Sequence, residues 1–246
     1  MIKSIVLDDK EFVIANRNLG LCGKSNLIDV VAAMKEIRKH KRPKDISFNC
    51  KIEFDNATYY CKNEYGIISE GMKGDIEYIL DFFANRVVIF KDENLFNLKE
   101  LAFSDNDLVI DLFDVMDLED SAKPAFFNFV QELSSFLGDT LTDYNKALAP
   151  MRTSDGKYCI SCLNYDNYEI TQLNQESERI KRVIRFICNT LKITDKTEAV
   201  FIDNFSEKDF KLNNYALSIS FDDPNIQYIF TSEDVIDLKK TTKYLL

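Results

Sequence analysis

The sequence predicts an α/β fold, a core sheet flanked by helices with two inserted lobes. Three observations predict it. A short apolar strand runs into Gly23-Lys24-Ser25 and then into a helix-periodic segment. Two nearly continuous apolar runs, Ala199 to Asp203 and Ile226 to Thr231, have the character of strands buried on both faces of a parallel sheet. Between these ends, residues 46–70 alternate apolar and polar side chains, which is the period of an antiparallel sheet.

The elements follow in order. Residues 3–7 and 11–15 are short, largely apolar strands. From Asn26 to Lys39, Leu27, Val30, Val31, Met34 and Ile37 recur at spacings of three and four, a helix that Pro43 ends. Phe48, Cys50, Ile52 and Phe54 then alternate. Asp55-Asn56 is a two-residue turn, and the return through Cys61 sets that residue opposite Cys50. A third strand is expected from Tyr65 to Ser69. Residues 76–85 read as helix and Val87 to Phe90 as strand. Residues 95–138 read as mainly helical, with Pro124 opening a helix that Gly138 closes. Residues 139–170 read as loops and short strands. Glu176 to Leu191 is an amphipathic helix with Ile180, Val183, Ile184, Ile187 and Leu191 on one face.

Composition bounds the function. The chain has 246 residues, 46% apolar and 29% charged, which are globular values. No apolar run approaches the ~18 residues of a membrane-spanning helix, and the first residues lack the apolar stretch of a signal peptide, so a cytoplasmic protein is expected. The six cysteines are then expected as reduced thiols. Cys159 and Cys162 have the spacing of half a zinc site. No second pair exists and His40 is the only histidine, so two thiols in a buried strand is the preferred reading. The net charge of −10 disfavours general nucleic-acid binding. The exception is Arg38-Lys39-His40-Lys41-Arg42-Pro43-Lys44, read first as a solvated helix end and second as a local DNA or RNA contact. The aromatic residues fall mostly at apolar positions and read as core rather than as base-stacking platforms.

Strand, Gly-Lys-Ser and helix together are the context of a phosphate-binding loop, here Asn18-Leu19-Gly20-Leu21-Cys22-Gly23-Lys24-Ser25. In such a loop Lys24 meets the β- and γ-phosphates of ATP and the Ser25 hydroxyl ligates Mg²⁺. The full pattern requires glycine where Asn18 stands, and glycine is scarce throughout, 7 residues where average usage gives roughly 17.

Gly23-Lys24-Ser25-Asn26-Leu27, read straight into a helix, resembles the ABC-class P-loop ATPases of the SMC/OLD kind, also called AAA-family ATPases. The alternating stretch from Phe48 to Lys62 and Gly66 to Glu70 resembles that family's antiparallel β-lobe, and Lys123 to Val130 a helix of its helical lobe. The resemblance implies one ATPase-head domain over residues 1–246. Its P-loop core takes residues 1–45 and 165–246, its β-lobe 46–92 and its helical lobe 93–164. It also implies ATP and Mg²⁺ as cofactors. Gly20, Gly23, Lys24, Ser25 and Asn26 would hold the nucleotide, and Ser25 and Asp203 the metal.

Other motifs of the family are altered. The signature motif corresponds to Leu173, Asn174, Glu176 and Arg179, with Glu176 at the position of the family's glycine. Asn204 stands where the catalytic glutamate follows Asp203, and an amide cannot take the proton of an attacking water. Glu233 occupies the place of the switch histidine. Whether the chain is an enzyme is therefore left open. The resemblance implies a degenerate head that pairs with itself or with a related ATPase head, in DNA maintenance or anti-phage defence, where an effector nuclease or toxin is the partner. A true ATPase completed by a partner in trans is one alternative. A non-enzymatic interaction module, such as an inhibitor that mimics an ATPase head, is the other.

Overall fold

A computed structural model describes residues 1–8, 10–14, 18–22, 27–28, 31–32, 49–64, 67–141, 144–203, 223–232 and 241–245. The fold is mixed α/β, and its described residues fall into two compact units. The first draws on Met1–Phe90, Ile193–Glu207 and Phe221–Leu246; all described residues of the second lie in Lys91–Lys192.

The first unit contains two five-stranded sheets. Its strands are β1 (Ile2–Leu7), β2 (Lys10–Val13), β3 (Asn18–Cys22), β4 (Cys50–Phe54), β5 (Ala57–Glu64), β6 (Ile67–Gly74) and β7 (Val87–Phe90). Near the C-terminus it adds β13 (Ala199–Ile202), β14 (Gln227–Ser232) and β15 (Thr241–Leu245). One sheet is antiparallel, in the order β2-β1-β4-β5-β6; the other is parallel throughout, in the order β15-β3-β14-β13-β7. The strands β1 and β2 join the antiparallel sheet, β1 pairing with β4. The two sheets share a core in which Ile5, Ile52 and Tyr59 of one meet Leu19, Leu21, Phe201 and Ile229 of the other. Leu27, Ile28 and Val31, from the segment after β3, are buried in the same core. The apolar face of the antiparallel strands is thus the other half of the parallel sheet's core.

The hairpin β4–β5 turns at Asp55-Asn56, and its register does place Cys50 opposite Cys61. A two-residue connection leaves the register no freedom. The strand β6 begins at Ile67 and runs to Gly74, longer and later than the alternation indicated. At Gly71 the backbone lies under the Tyr60 ring across the hairpin. A methyl there would sit 2.0 Å from the ring's Cζ, so the ring must swing aside. Gly71→Ala is expected to cost about 1 kcal/mol in urea unfolding, because a half-exposed ring can move.

Helix α1 (Ile76–Asp81) is capped by Asp75, whose carboxylate accepts the Tyr78 N–H at 3.0 Å. It continues as a π-helical turn, Phe82–Arg86, that delivers the chain to β7. Arg86 pairs there with Asp81 and Glu198, and Glu198 also accepts the Tyr78 hydroxyl at 3.0 Å.

The second unit holds a short hairpin, β8 (Leu95–Asn97) with β9 (Val109–Asp111), and helix α2 (Lys123–Thr140). It also holds an antiparallel sheet of β10 (Lys146–Arg152), β11 (Tyr158–Asn164) and β12 (Ile170–Gln172), and helix α3 (Glu178–Thr190). Residues 95–122 are thus a hairpin and turns rather than helix. The helix α3 also differs from the expected division. Its face of Ile180, Val183, Ile184 and Ile187 packs with Phe126, Val130 and Leu133 in the second unit's core, not in that of the first unit. The edge strand β10 is guarded on its outer side. Ser134 of α2 accepts the Leu148 N–H at 2.9 Å, and Pro150 has no N–H to offer.

Burial raises the thiols of Cys50 and Cys188 far above their ordinary value of 9.0, and that of Cys162 to about 12. Between about pH 9 and 12 the folded chain keeps these protons while the unfolded chain loses them. Stability is full below that window and falls as pH rises through it, by up to about 1.4 kcal/mol per pH unit for each thiol. Urea midpoints are expected to drop as pH rises from about 9 to 12, and Cys188→Ala is expected to flatten that slope.

Candidate nucleotide site at the C-terminal edge of the parallel sheet

The five parallel strands end on one edge. Cys22, Phe90, Ile202, Ser232 and Leu245 are their last residues. The strand β3 lies between β15 and β14, with Cys22 level with Ser232. After β3 the chain re-enters this sheet at β7, on the far side of β14 and β13. After β14 it crosses to β15, on the other side of β3. The connections leaving β3 and β14 therefore run in opposite directions, the arrangement that opens a ligand crevice at the carboxyl ends of parallel strands.

Asp203 is the residue after β13 and is exposed at this edge. Its N–H bonds the Phe90 carbonyl at 3.2 Å, extending the ladder with β7 by one residue. Its carboxylate accepts the Thr231 hydroxyl of β14 at 3.0 Å. Gly23, Lys24 and Ser25 follow β3 directly in the chain; with Asn26, Asn204, Glu233 and the basic segment Arg38 to Lys44 they lie outside the described residues.

The first part of the expected loop is corrected. Asn18 to Cys22 are strand, not loop, and Gly20 sits in mid-sheet between Phe230 and Lys243. Amides committed to a parallel ladder cannot also cradle phosphates. Asn18, read as a lost glycine, is fully buried, and its side-chain oxygen accepts the Tyr228 N–H at 3.1 Å. Gly23 is thus the first residue able to begin a phosphate loop.

No protein-family model matches the sequence, and no curated protein matches it.

The signature-like residues belong to the second unit. Leu173 is buried and opens a 3₁₀ turn, Leu173–Gln175; Asn174 donates to the Gln172 side chain at 3.2 Å. Glu176 accepts Lys146 at 2.6 Å with only 9% of its side chain exposed, so its charge is neutralised within the unit. Ser177 caps α3 by accepting the Ile180 N–H, and Arg179 is in its first turn. Cys159 and Cys162 are both buried in β11. Three residues apart on a strand, they point to opposite faces and cannot share one ion. Among the described residues no three His, Cys, Asp or Glu side chains converge on a metal position. A Mg²⁺ that keeps waters and phosphate oxygens needs only one or two carboxylates, and an exposed strand-end carboxylate such as Asp203 fits that chemistry.

Thr231 was missed in the sequence. Its only signal is that a hydroxyl interrupts an apolar run at the end of a buried strand.

Proposed function

We propose that the first unit is a reduced P-loop ATPase head of the ABC/SMC kind, which holds ATP and Mg²⁺ at the C-terminal edge of its parallel sheet. The position of Asp203 carries this reading. It is an exposed carboxylate at the end of β13, with β14 alone between that strand and β3, whose chain continues into Gly23-Lys24-Ser25. Lys24 neutralises the β- and γ-phosphates, and Ser25 with Asp203 supports the metal. Asn204 and Glu233 supply neither a proton acceptor nor an imidazole, so the site binds nucleotide with little hydrolysis. The head acts by pairing with a second head, its own or a related ATPase's. DNA maintenance or anti-phage defence, with a nuclease or toxin as effector, is the setting the resemblance implies.

Calorimetry with ATP and Mg²⁺ tests this. Lys24→Ala is expected to weaken binding ~10–100-fold, the loss of a charge-assisted phosphate contact. Binding unaffected by Lys24→Ala would remove the P-loop. One observation favours the rival, non-enzymatic reading: with Asn18 to Cys22 in the sheet, few backbone amides are left for phosphate. No heat with the unmodified chain decides for that rival.

A further inference from the structure

We propose that Thr231 is a positioning residue for Asp203, and that its hydroxyl sets the metal affinity of the nucleotide site. This rests on the reading of the first unit given above.

The strand β14 is apolar from Tyr228 to Phe230, then carries Thr231, which is 3% exposed and level with Leu21 of β3. A hydroxyl so buried needs a partner. It donates to Asp203 Oδ1 at 3.0 Å, from the neighbouring strand. The alternation of both strands puts the two side chains on one face. Thr231 follows Ile229, and Asp203 follows Ala199 and Phe201, all three in the first unit's core. Asp203 is thus held twice, by its N–H to Phe90 and by its carboxylate to Thr231.

The kind of donor matters. A neutral hydroxyl fixes the orientation of a carboxylate and leaves its negative charge in place. A lysine or arginine would cancel that charge, and among the described residues none forms an ion pair with Asp203. Asp203 is exposed and its carboxylate is oriented, which suits a ligand of a hard divalent cation at a strand end.

Mn²⁺ replaces Mg²⁺ as the probe, with free Mn²⁺ read by electron paramagnetic resonance in the full chain saturated with ATP. Thr231→Val is expected to weaken Mn²⁺ binding about tenfold, the low end for losing a hydrogen bond to a metal-ligating carboxylate. ATP binding in EDTA is expected to be unchanged. Thr231→Ser is expected to restore the affinity to within about twofold, which a packing role for the methyl would not do. Should the valine variant not fold, Thr231→Ala carries the same expectation. Unchanged Mn²⁺ affinity in the folded variants, with Asp203→Asn still impaired, overturns the role of Thr231 and leaves the nucleotide reading standing. Unchanged affinity in Asp203→Asn overturns the metal role of both residues. No ATP binding by the unmodified chain overturns the proposal together with the reading beneath it.

Discussion

Gly74→Ala is expected to destabilise the first unit by about 2–4 kcal/mol. Gly74 ends β6 with φ at +82°, a conformation that costs an L side chain about 1–3 kcal/mol. A methyl there would lie 2.1 Å from the Asn56 carbonyl oxygen and 3.0 Å from the Ala57 Cα. Both are backbone atoms where the β4–β5 turn enters β5, and that turn is pinned. The Asn56 carbonyl accepts the Asp75 N–H at 3.3 Å, just before Asp75 caps α1. The neighbour therefore cannot yield as the Tyr60 ring can at Gly71. Urea unfolding of Gly74→Ala beside Gly138→Ala checks this. Nothing lies within 4 Å of a methyl at Gly138 in α2, where alanine is expected to gain about 0.5–1 kcal/mol. A cost below about 0.5 kcal/mol at Gly74 would contradict the described path from β6 into α1.

Gln227→Leu is expected to cost about 2–5 kcal/mol. Gln227 opens β14 and is 4% exposed. Its amide accepts the Ile2 N–H at 2.7 Å and donates to the Ile2 carbonyl at 2.9 Å. One side chain thus bridges the start of the antiparallel sheet and the start of the parallel one. Leucine fills the volume but leaves two buried backbone groups unpaired, at about 1–3 kcal/mol each. Gln227→Glu separates packing from hydrogen bonding. Ionised, it has no donor for the Ile2 carbonyl; protonated, it regains one. Its stability relative to the unmodified chain is therefore expected to rise as pH falls through the raised pKa of the buried glutamate. Thermal melts of both variants across pH read the effect, and a pH-independent difference would refute the paired geometry.

Most of the sheet was legible in the sequence because it rests on short-range signals. Val200 to Ile202 and Tyr228 to Phe230 are apolar runs long enough to name strands. Asp55-Asn56 fixes both the turn and the Cys50–Cys61 register. Residues 95–122 were not legible. Leu95, Phe96, Leu98, Leu101 and Phe103 recur at helical spacings, yet the three-residue strands β8 and β9 are too short to show a period of two. The helix α3 was legible as an amphipathic element, but an apolar face does not say which core receives it.

The candidate site divides the same way. Asp203 could be found as an acid ending an apolar strand. Thr231 could not, because a β-branched hydroxyl residue is ordinary in strands and its partner is 28 residues away. Asn18 was misjudged because a pattern that wants glycine hides what an amide does when β14 is beside it.

The central place of β3 has a consequence for how the chain is made. Its two ladder partners, β14 and β15, both come near the C-terminus; Asn18 and the Tyr228 amide it accepts are 210 residues apart. The described residues of the second unit all lie within Lys91–Lys192, and their apolar core closes among themselves. On the ribosome that unit can condense while β3 still waits, its edges open, for strands not yet synthesised. Non-local closure makes β3 the slow step of assembly, and a truncation before Gln227 leaves its apolar edge exposed to other chains.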